Sequence, residues 1–351
     1  MIVFLLIFLI IILYKVKIVG NGYNSEYLSK ENTNAIKGFF IIVVFINHIQ
    51  GYYELANAHL VAWYDATLFL PAKVFGQLMV VMFLFYSGYG VAESIKKKKD
   101  TYIKLIPKRR VLGTLINFDI AVIVFAITCL LLGIKIGIVQ FLLSILGWSS
   151  VGNSNWYIFC IVTCYMLTYI SYNVSRERWC IVLCFFIIGY AVIMSFYKGT
   201  WWYNTVFAYG AGVLFSEHRK WLVYRWKQHY YKWLILCLIG FTICLVFYLI
   251  FYRQFKSTME ATGAMIFNAM SIFFAYIVVI ITMKVSVHNK ALVWMGTNLF
   301  PLYIYQRLPM MILTTQFPTV LVANHPYIFL TLCLVITGCI AWGYHFIQIK
   351  V

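Results

Sequence analysis

The chain has 351 residues, of which 63% are hydrophobic, 19% aromatic and only 11% charged, with a mean hydropathy of +0.86. Soluble domains are about 45–50% apolar and about 25% charged, so this composition excludes a cytosolic enzyme, a disordered chain and a disulfide-stapled scaffold. The net charge of +18 would suggest nucleic acid for a soluble protein; here its meaning depends on where the charges fall between apolar segments.

A helix needs about 20 largely apolar residues to cross the hydrocarbon core. Eleven such stretches follow one another: about 2–19, 36–53, 74–92, 110–134, 156–173, 180–197, 202–216, 232–252, 263–284, 291–315 and 326–348. The first has no basic stretch before its apolar run and no small-residue cleavage site after it. Lys15 and Lys17 follow the run instead, so it reads as a retained helix and not a signal peptide. The seventh is short. The tenth contains Pro301 and Pro309, which predict a kink or break, tolerated where neighbours or water satisfy the freed backbone.

The charges orient these spans. With the N-terminus outside, the inner side collects 22 of the 28 Lys and Arg residues. Five fall outside (Lys73, Lys135, Lys198, Arg253 and Lys256), and Arg307 lies within the tenth span. By the positive-inside rule the chain is expected to be an all-α polytopic membrane protein of about eleven transmembrane helices, N-out and C-in. No connection is long enough to fold separately. Most of the charge therefore sets orientation among membrane lipids, and no nucleic-acid partner is expected.

All nine cysteines fall inside spans with no histidine beside them, which favours packing between helices; no metal site is expected. There is no P-loop, GxGxxG, GxSxG or HExxH pattern, so ATP-driven transport and dinucleotide chemistry have no support.

Titratable residues at membrane depth are costly and are functional candidates by default. His48, next to Asn47, lies toward the outer half of the second span. Lys37 precedes it by eleven residues, about 16 Å along a helix, at the inner mouth. An interfacial anchor explains Lys37 alone, and an interhelical hydrogen bond is as good a reading of His48 alone. Ser87 and Gly88 sit in FLFYSGYG, where small residues suit close helix packing. The run from Lys96 to Arg110, ending in Arg109 and Arg110, reads either as a headgroup-facing surface or as a phosphate-binding surface for an anionic cosubstrate. Asp119 and Arg307 are the two fully intramembrane charges, and a structural ion pair between them is the economical expectation. Asn153, Asn155, Trp156 and Tyr157 open the fifth span, as an aromatic belt or as a sugar-binding lip.

These residues resemble the membrane acyltransferase 3 family, which includes bacterial O-acetyltransferases of surface polysaccharides. IKGFFIIVVFINH (36–48) is similar to its first core helix, with a basic residue eleven positions before a histidine. FLFYSGYG (83–90), the basic segment ending at Arg109–Arg110, NWYIFCIVTCYM (155–166) and MGTNLFPLYIYQ (295–306) resemble later blocks. Two positions depart: Lys37 stands where Arg is common, and Gln306 where many members carry His, so a second catalytic imidazole is not expected.

The resemblance implies a ten-helix acyltransferase core over 34–350, with residues 1–20 as an additional N-terminal helix. It implies acetyl-CoA or another acyl-CoA as donor, held at its phosphates by Lys37, Arg109 and Arg110. His48 would act as general base, with Asn47 or Ser87 polarising the carbonyl. The acceptor would be a hydroxyl of a cell-surface or lipid-linked glycan, such as an exopolysaccharide, contacted by Asn155, Trp156 and Tyr157. The expected setting is a bacterial plasma membrane, in association with polysaccharide-synthesis proteins. A glycan or lipid-linked-sugar transporter or flippase, a glycan polymerase and a non-catalytic relative are the alternatives. The absence of an internal repeat disfavours the first, and the modest outer loops disfavour the second.

Overall fold

The computed structural model describes residues 10–56, 76–255, 260–346 and 348. The expectations for residues 1–9, and for Lys73 and Lys256, lie outside the described residues. The chain is an all-α polytopic membrane protein. Among the described residues, seven helical stretches are long and apolar enough to cross a membrane: Lys30–Leu55, Leu78–Leu131, Trp156–Val174, Trp179–Tyr197, Tyr230–Ile250, Glu260–Thr282 and Pro326–Gly343. The second of these is 54 residues long, enough for two passes at about 20 residues each.

Helix α1 (Lys30–Leu55) is the most enclosed: 61% of its most apolar stretch is buried, against 6% for Tyr230–Ile250. Its start is specified by side chains. The Ser29 hydroxyl accepts from Asn32 N at 3.2 Å, satisfying an orphan first-turn donor. The Asn32 side chain donates to Tyr27 O (2.9 Å) and accepts from Val287 N (3.2 Å). Val287 belongs to a two-stranded antiparallel ribbon, β1 (Val16–Ile18) with β2 (Val285–Val287), pairing Val16 with Val287 and Ile18 with Val285. This corrects the expected helix over 2–19: the described part is helical only at residues 10–13, and 16–18 form a strand. Lys15, Lys17 and their polar surroundings end the apolar run early, and the β-branched Val16 and Ile18 find a partner edge.

Helix α2 (Leu78–Leu105) is broken at Lys99 (φ 45°, ψ −132°) and passes through a π-helical segment, Ile106–Leu112, into α3 (Gly113–Leu131). A short helix α4 (Ile138–Ile145) follows, then α5 (Trp156–Val174) and α6 (Trp179–Tyr197). Helix α7 (Phe207–Gln228) starts later than the expected 202–216 span and runs beyond it into charged sequence. It is followed by α8 (Tyr230–Phe255) and α9 (Glu260–Thr282).

The expected tenth span is three helices, α10 (Lys290–Thr297), α11 (Leu299–Tyr305) and α12 (Arg307–Gln316). Proline lacks the N–H that would bond to the carbonyl four residues back and its ring crowds that carbonyl. For Pro301 and Pro309 those carbonyls belong to Thr297 and Tyr305, where α10 and α11 end. Helix α13 (Pro326–Gly343) follows and runs into a 3-10 turn at Tyr344–Phe346.

Two helix crossings depend on glycine. A Cβ on Gly38 would lie 1.9 Å from Leu292 O and one on Gly296 1.8 Å from Asn34 O, so α1 and α10 meet backbone to backbone. The same holds for α2 and α7, where Gly88 faces Tyr209 O (2.1 Å) and Gly212 faces Phe85 O (2.0 Å). Such contacts, made by small residues, are the usual way helices associate in lipid.

The basic segments meet at one end of the bundle. Lys96 bonds Ser216 O (2.5 Å) and lies 3.5 Å from Glu217, Arg176 lies 3.3 Å from Asp100, and Lys284 lies over the Tyr23 ring. At the other end Lys198 lies over Trp148 (3.9 Å) and Trp202 (4.6 Å) and donates to Trp148 O (2.7 Å).

Candidate active site

Eleven residues turn an α-helix through about three full turns, so Lys37 and His48 share one face of α1 with Ile41 and Tyr52. Asn47, one residue earlier than His48, points about 100° away and is half-buried. His48 Nδ1 is buried without a hydrogen-bond partner. Its ring centroid lies 6.3 Å from that of Tyr303 on α11. Arg307, the first residue of α12, has its guanidinium carbon 5.9 Å from the centre of the Tyr52 ring, and its charge is felt at both His48 and Tyr303.

The break between α11 and α12 thus carries Tyr303 and Arg307 to the face of α1 that bears the imidazole. Arg307 and Asp119 form no ion pair. Asp119 Oδ1, on α3, is buried without a partner, and the four ion pairs between described side chains do not include either residue. The helix packing turns Arg307 toward Tyr52 and His48 instead.

A second wall comes from α5 and the loop before it. The Tyr303 hydroxyl and Ser154 Oγ face each other without meeting hydrogen-bond geometry, and each is buried without a partner. Asn153 is fully buried; its Oδ1 accepts from Val151 N (3.1 Å), leaving Nδ2 unpartnered. Gly152 (φ 106°) makes this turn possible, and a Cβ there would lie 2.9 Å from Met311 Sδ of α12, so the loop is pressed against the broken helix. Unpaired buried polar groups are rare in proteins. Here His48 Nδ1, Tyr303 Oη, Ser154 Oγ and Asn153 Nδ2 belong to elements packed around one region.

From Tyr303 a line of hydroxyl-bearing rings runs toward the basic end. Tyr303 packs edge-on against Tyr157 (5.2 Å, 63°). Tyr157 and Tyr165, two turns apart on α5, both interact through their hydroxyls with Ser87 of α2. The Arg110 guanidinium lies 5.9 Å from the centre of the Tyr165 ring, and its Nε donates to the Tyr102 hydroxyl at 3.2 Å. The Gly88 and Gly212 crossing holds α2 against α7, and Tyr209 of α7 in turn shares a 2.9 Å hydrogen bond with Thr168 of α5.

The sequence-derived residues therefore separate into those this arrangement uses and those it does not. His48, Ser87, Tyr157, Arg110 and Arg307 lie along it. Asn155 is tied into the preceding loop, its Nδ2 donating to Gly147 O (2.8 Å). Trp156 is half-buried beside Tyr157 (6.1 Å), Arg109 is exposed on the basic end, and Lys37 is half-buried toward the N-terminal end of the His48 face. Tyr303, Ser154 and Tyr165 were not singled out by sequence. A tyrosine in the middle of an apolar, proline-broken span is the one local signal that Tyr303 offers.

The arrangement suits transfer of a group to a hydroxyl. It combines an imidazole nitrogen free to take a proton, a guanidinium and a phenol beside it to meet developing negative charge, and a polar line to a cationic mouth. A family model described as an acyltransferase domain matches residues 31–343. No curated protein and no solved structure matches the chain.

Proposed function

The chain belongs to the membrane acyltransferase 3 family, and on that premise we propose that it moves an acyl group, acetyl in the simplest case, from cytoplasmic acyl-CoA to a hydroxyl of a cell-surface or lipid-linked glycan. The observation that carries this reading is His48 Nδ1, buried and unpartnered between Tyr303 and Arg307 on the most enclosed helix. The basic end faces the cytoplasm of a bacterial plasma membrane, with the N-terminus outside and the C-terminus inside. Arg110, Arg109 and Lys37 hold the donor's phosphates; arginine does so bidentately and lysine as a point charge.

The pantetheine arm carries the thioester inward, and the acceptor enters from the opposite end, past the 150–155 loop. Neutral His48 takes the proton of the acceptor hydroxyl through Nδ1 as the oxygen attacks the thioester carbonyl. The carbonyl oxygen, gaining charge, is met by the Tyr303 hydroxyl and the Arg307 guanidinium. Collapse of the tetrahedral intermediate breaks the carbon–sulfur bond, and the thiolate takes the proton back from His48. The products are an ester and free CoA. Proteins that build or export the same polysaccharide are the natural neighbours of such an enzyme.

General-base catalysis contributes about 10²–10⁴-fold, so His48→Ala should lower glycan O-acetylation by at least that lower factor while the protein still accumulates in the membrane. O-acetylation retained at the level of the unaltered protein would overturn the mechanism.

A further inference from the structure

One cavity near the site is left unused by that mechanism. It has a volume of about 80 Å³ and lies between α1, α10, α11 and α13, walled by Ile41, Phe45, Leu302, Leu334 and Trp294 with Gln306 among them. A single water needs about 10–15 Å³ measured this way, so the space takes a length of chain. Its wall is almost wholly apolar. The hydroxyl of Thr337, which also borders it, is committed to Cys333 O at 2.6 Å.

Gln306 is the exception. It is 1% exposed, its Nε2 donates to Tyr303 O at 3.0 Å, and its Oε1 has no donor. A buried amide oxygen without a donor is costly, and a lipid tail filling the cavity would leave it so. The occupant that completes the site carries an N–H on an otherwise slender chain.

Position narrows the occupant further. Ile41 and Phe45 lie on α1 between Lys37 and His48, so the cavity flanks the stretch between the cationic mouth and the imidazole. Phe45 precedes His48 by three residues, about 4.5 Å along the helix. In an acyl-CoA the thioester sulfur and the nearest amide nitrogen are separated by two methylene groups, about 4 Å with ordinary bond lengths.

We infer that Gln306 is a positioning residue for the donor: its Oε1 accepts the cysteamine amide N–H of the pantetheine arm, which lies in this cavity and fixes the thioester at the level of His48. The inference rests on the proposed acyl transfer from a thioester.

The test uses truncated donors with membranes that contain the full chain and its native acceptor, following thiol release and acyl transfer. One donor is S-acetyl-N-acetylcysteamine. The other has an ester oxygen in place of the amide N–H and is otherwise identical. The unaltered protein should use the amide donor about tenfold better or more, the effect of one buried hydrogen bond, with the difference mainly in KM. Gln306→Met should use both donors alike. Gln306→Glu, which keeps an acceptor oxygen in place, should retain the preference.

Equal use of both donors by the unaltered protein, or a preference that survives in Gln306→Met, would overturn the inference and leave the cavity to lipid. Should Gln306→Met fail to accumulate, Gln306→Asn, which withdraws the carboxamide by one methylene, is expected to reduce the preference and decides in its place. If the unaltered protein turns over neither truncated donor nor acetyl-CoA, the acyl-transfer reading itself fails; that result differs from acetyl-CoA turnover without amide discrimination.

Discussion

Replacing Gly296 with alanine tests whether the crossing of α1 and α10 sets the position of the imidazole. The new Cβ would start 1.8 Å from Asn34 O, where real Cβ atoms stay beyond 3.0 Å, and the obstacle is backbone, which cannot swing aside. The two helices must separate by more than 1 Å at that point. Overpacking of this kind costs about 1–3 kcal/mol, and the upper part of that range is expected because no side chain can absorb it. The same change at Gly189 in α6 meets nothing within 4 Å and should stabilise the helix by up to about 1 kcal/mol.

The two alanine variants should therefore differ by about 2–4 kcal/mol, with opposite signs relative to the unaltered chain, as read from thermal unfolding in one detergent. Helix α1 carries His48, and a misplacement of about 1 Å at reacting groups costs about 10²-fold in rate. Acyl transfer by Gly296→Ala should therefore fall well below its folded fraction. Equal thermal midpoints for Gly296→Ala and Gly189→Ala would refute the reasoning.

Three further substitutions probe the site and its supports. Tyr303→Phe removes a hydroxyl with no protein partner, so unfolding should be unchanged or slightly favourable to the variant while acyl transfer falls by about tenfold or more; unchanged transfer would remove Tyr303 from the mechanism. Arg110→Ala should raise KM for acyl-CoA by the worth of a charged hydrogen bond, about 1.5–3 kcal/mol, with a smaller effect on kcat, and a KM that does not move would exclude it from donor binding. Glu93→Gln takes the charge from a carboxylate that accepts from Ser216 Oγ (2.7 Å) and pairs with Arg219 and Lys96 (both 3.5 Å). It should lower the thermal midpoint by the equivalent of about 1–2 kcal/mol, and an unmoved midpoint would show that the Glu93 charge adds nothing to the packing of α2 on α7.

Much of the helical framework is legible in the sequence because hydrophobic length is a local property. The windows at 36–53, 156–173, 180–197, 232–252, 263–284 and 326–348 each overlie an observed helix. What failed depends on distant partners. The β1 strand has three residues, and its pairing is decided by β2, more than 260 residues away. Pro301 and Pro309 signalled an interruption, but not that the break would turn Tyr303 and Arg307 toward α1.

The same distinction holds for the site. His48 is conspicuous as an imidazole within an apolar helix, whereas Tyr303 is one of 27 tyrosines and gains meaning only from the rotation of α11. Pairing Asp119 with Arg307 was sound in cost, since each charge needs company, but company is assigned by packing. Arg307 found aromatic rings and an imidazole.

The β1–β2 ribbon has a consequence for the order in which the protein can be made. The N-terminal end of α1 is held by Val287 N on Asn32, by Thr297 on Asn34 and by the backbone of α10, all from the last quarter of the chain. During synthesis α1 is made early and waits, its anchoring amides unanswered, until the chain through α9 and α10 has been made. A nascent chain stopped before residue 285 would hold the imidazole without the contacts that aim it. The helix that bears His48, made early, is thus among the last to be locked.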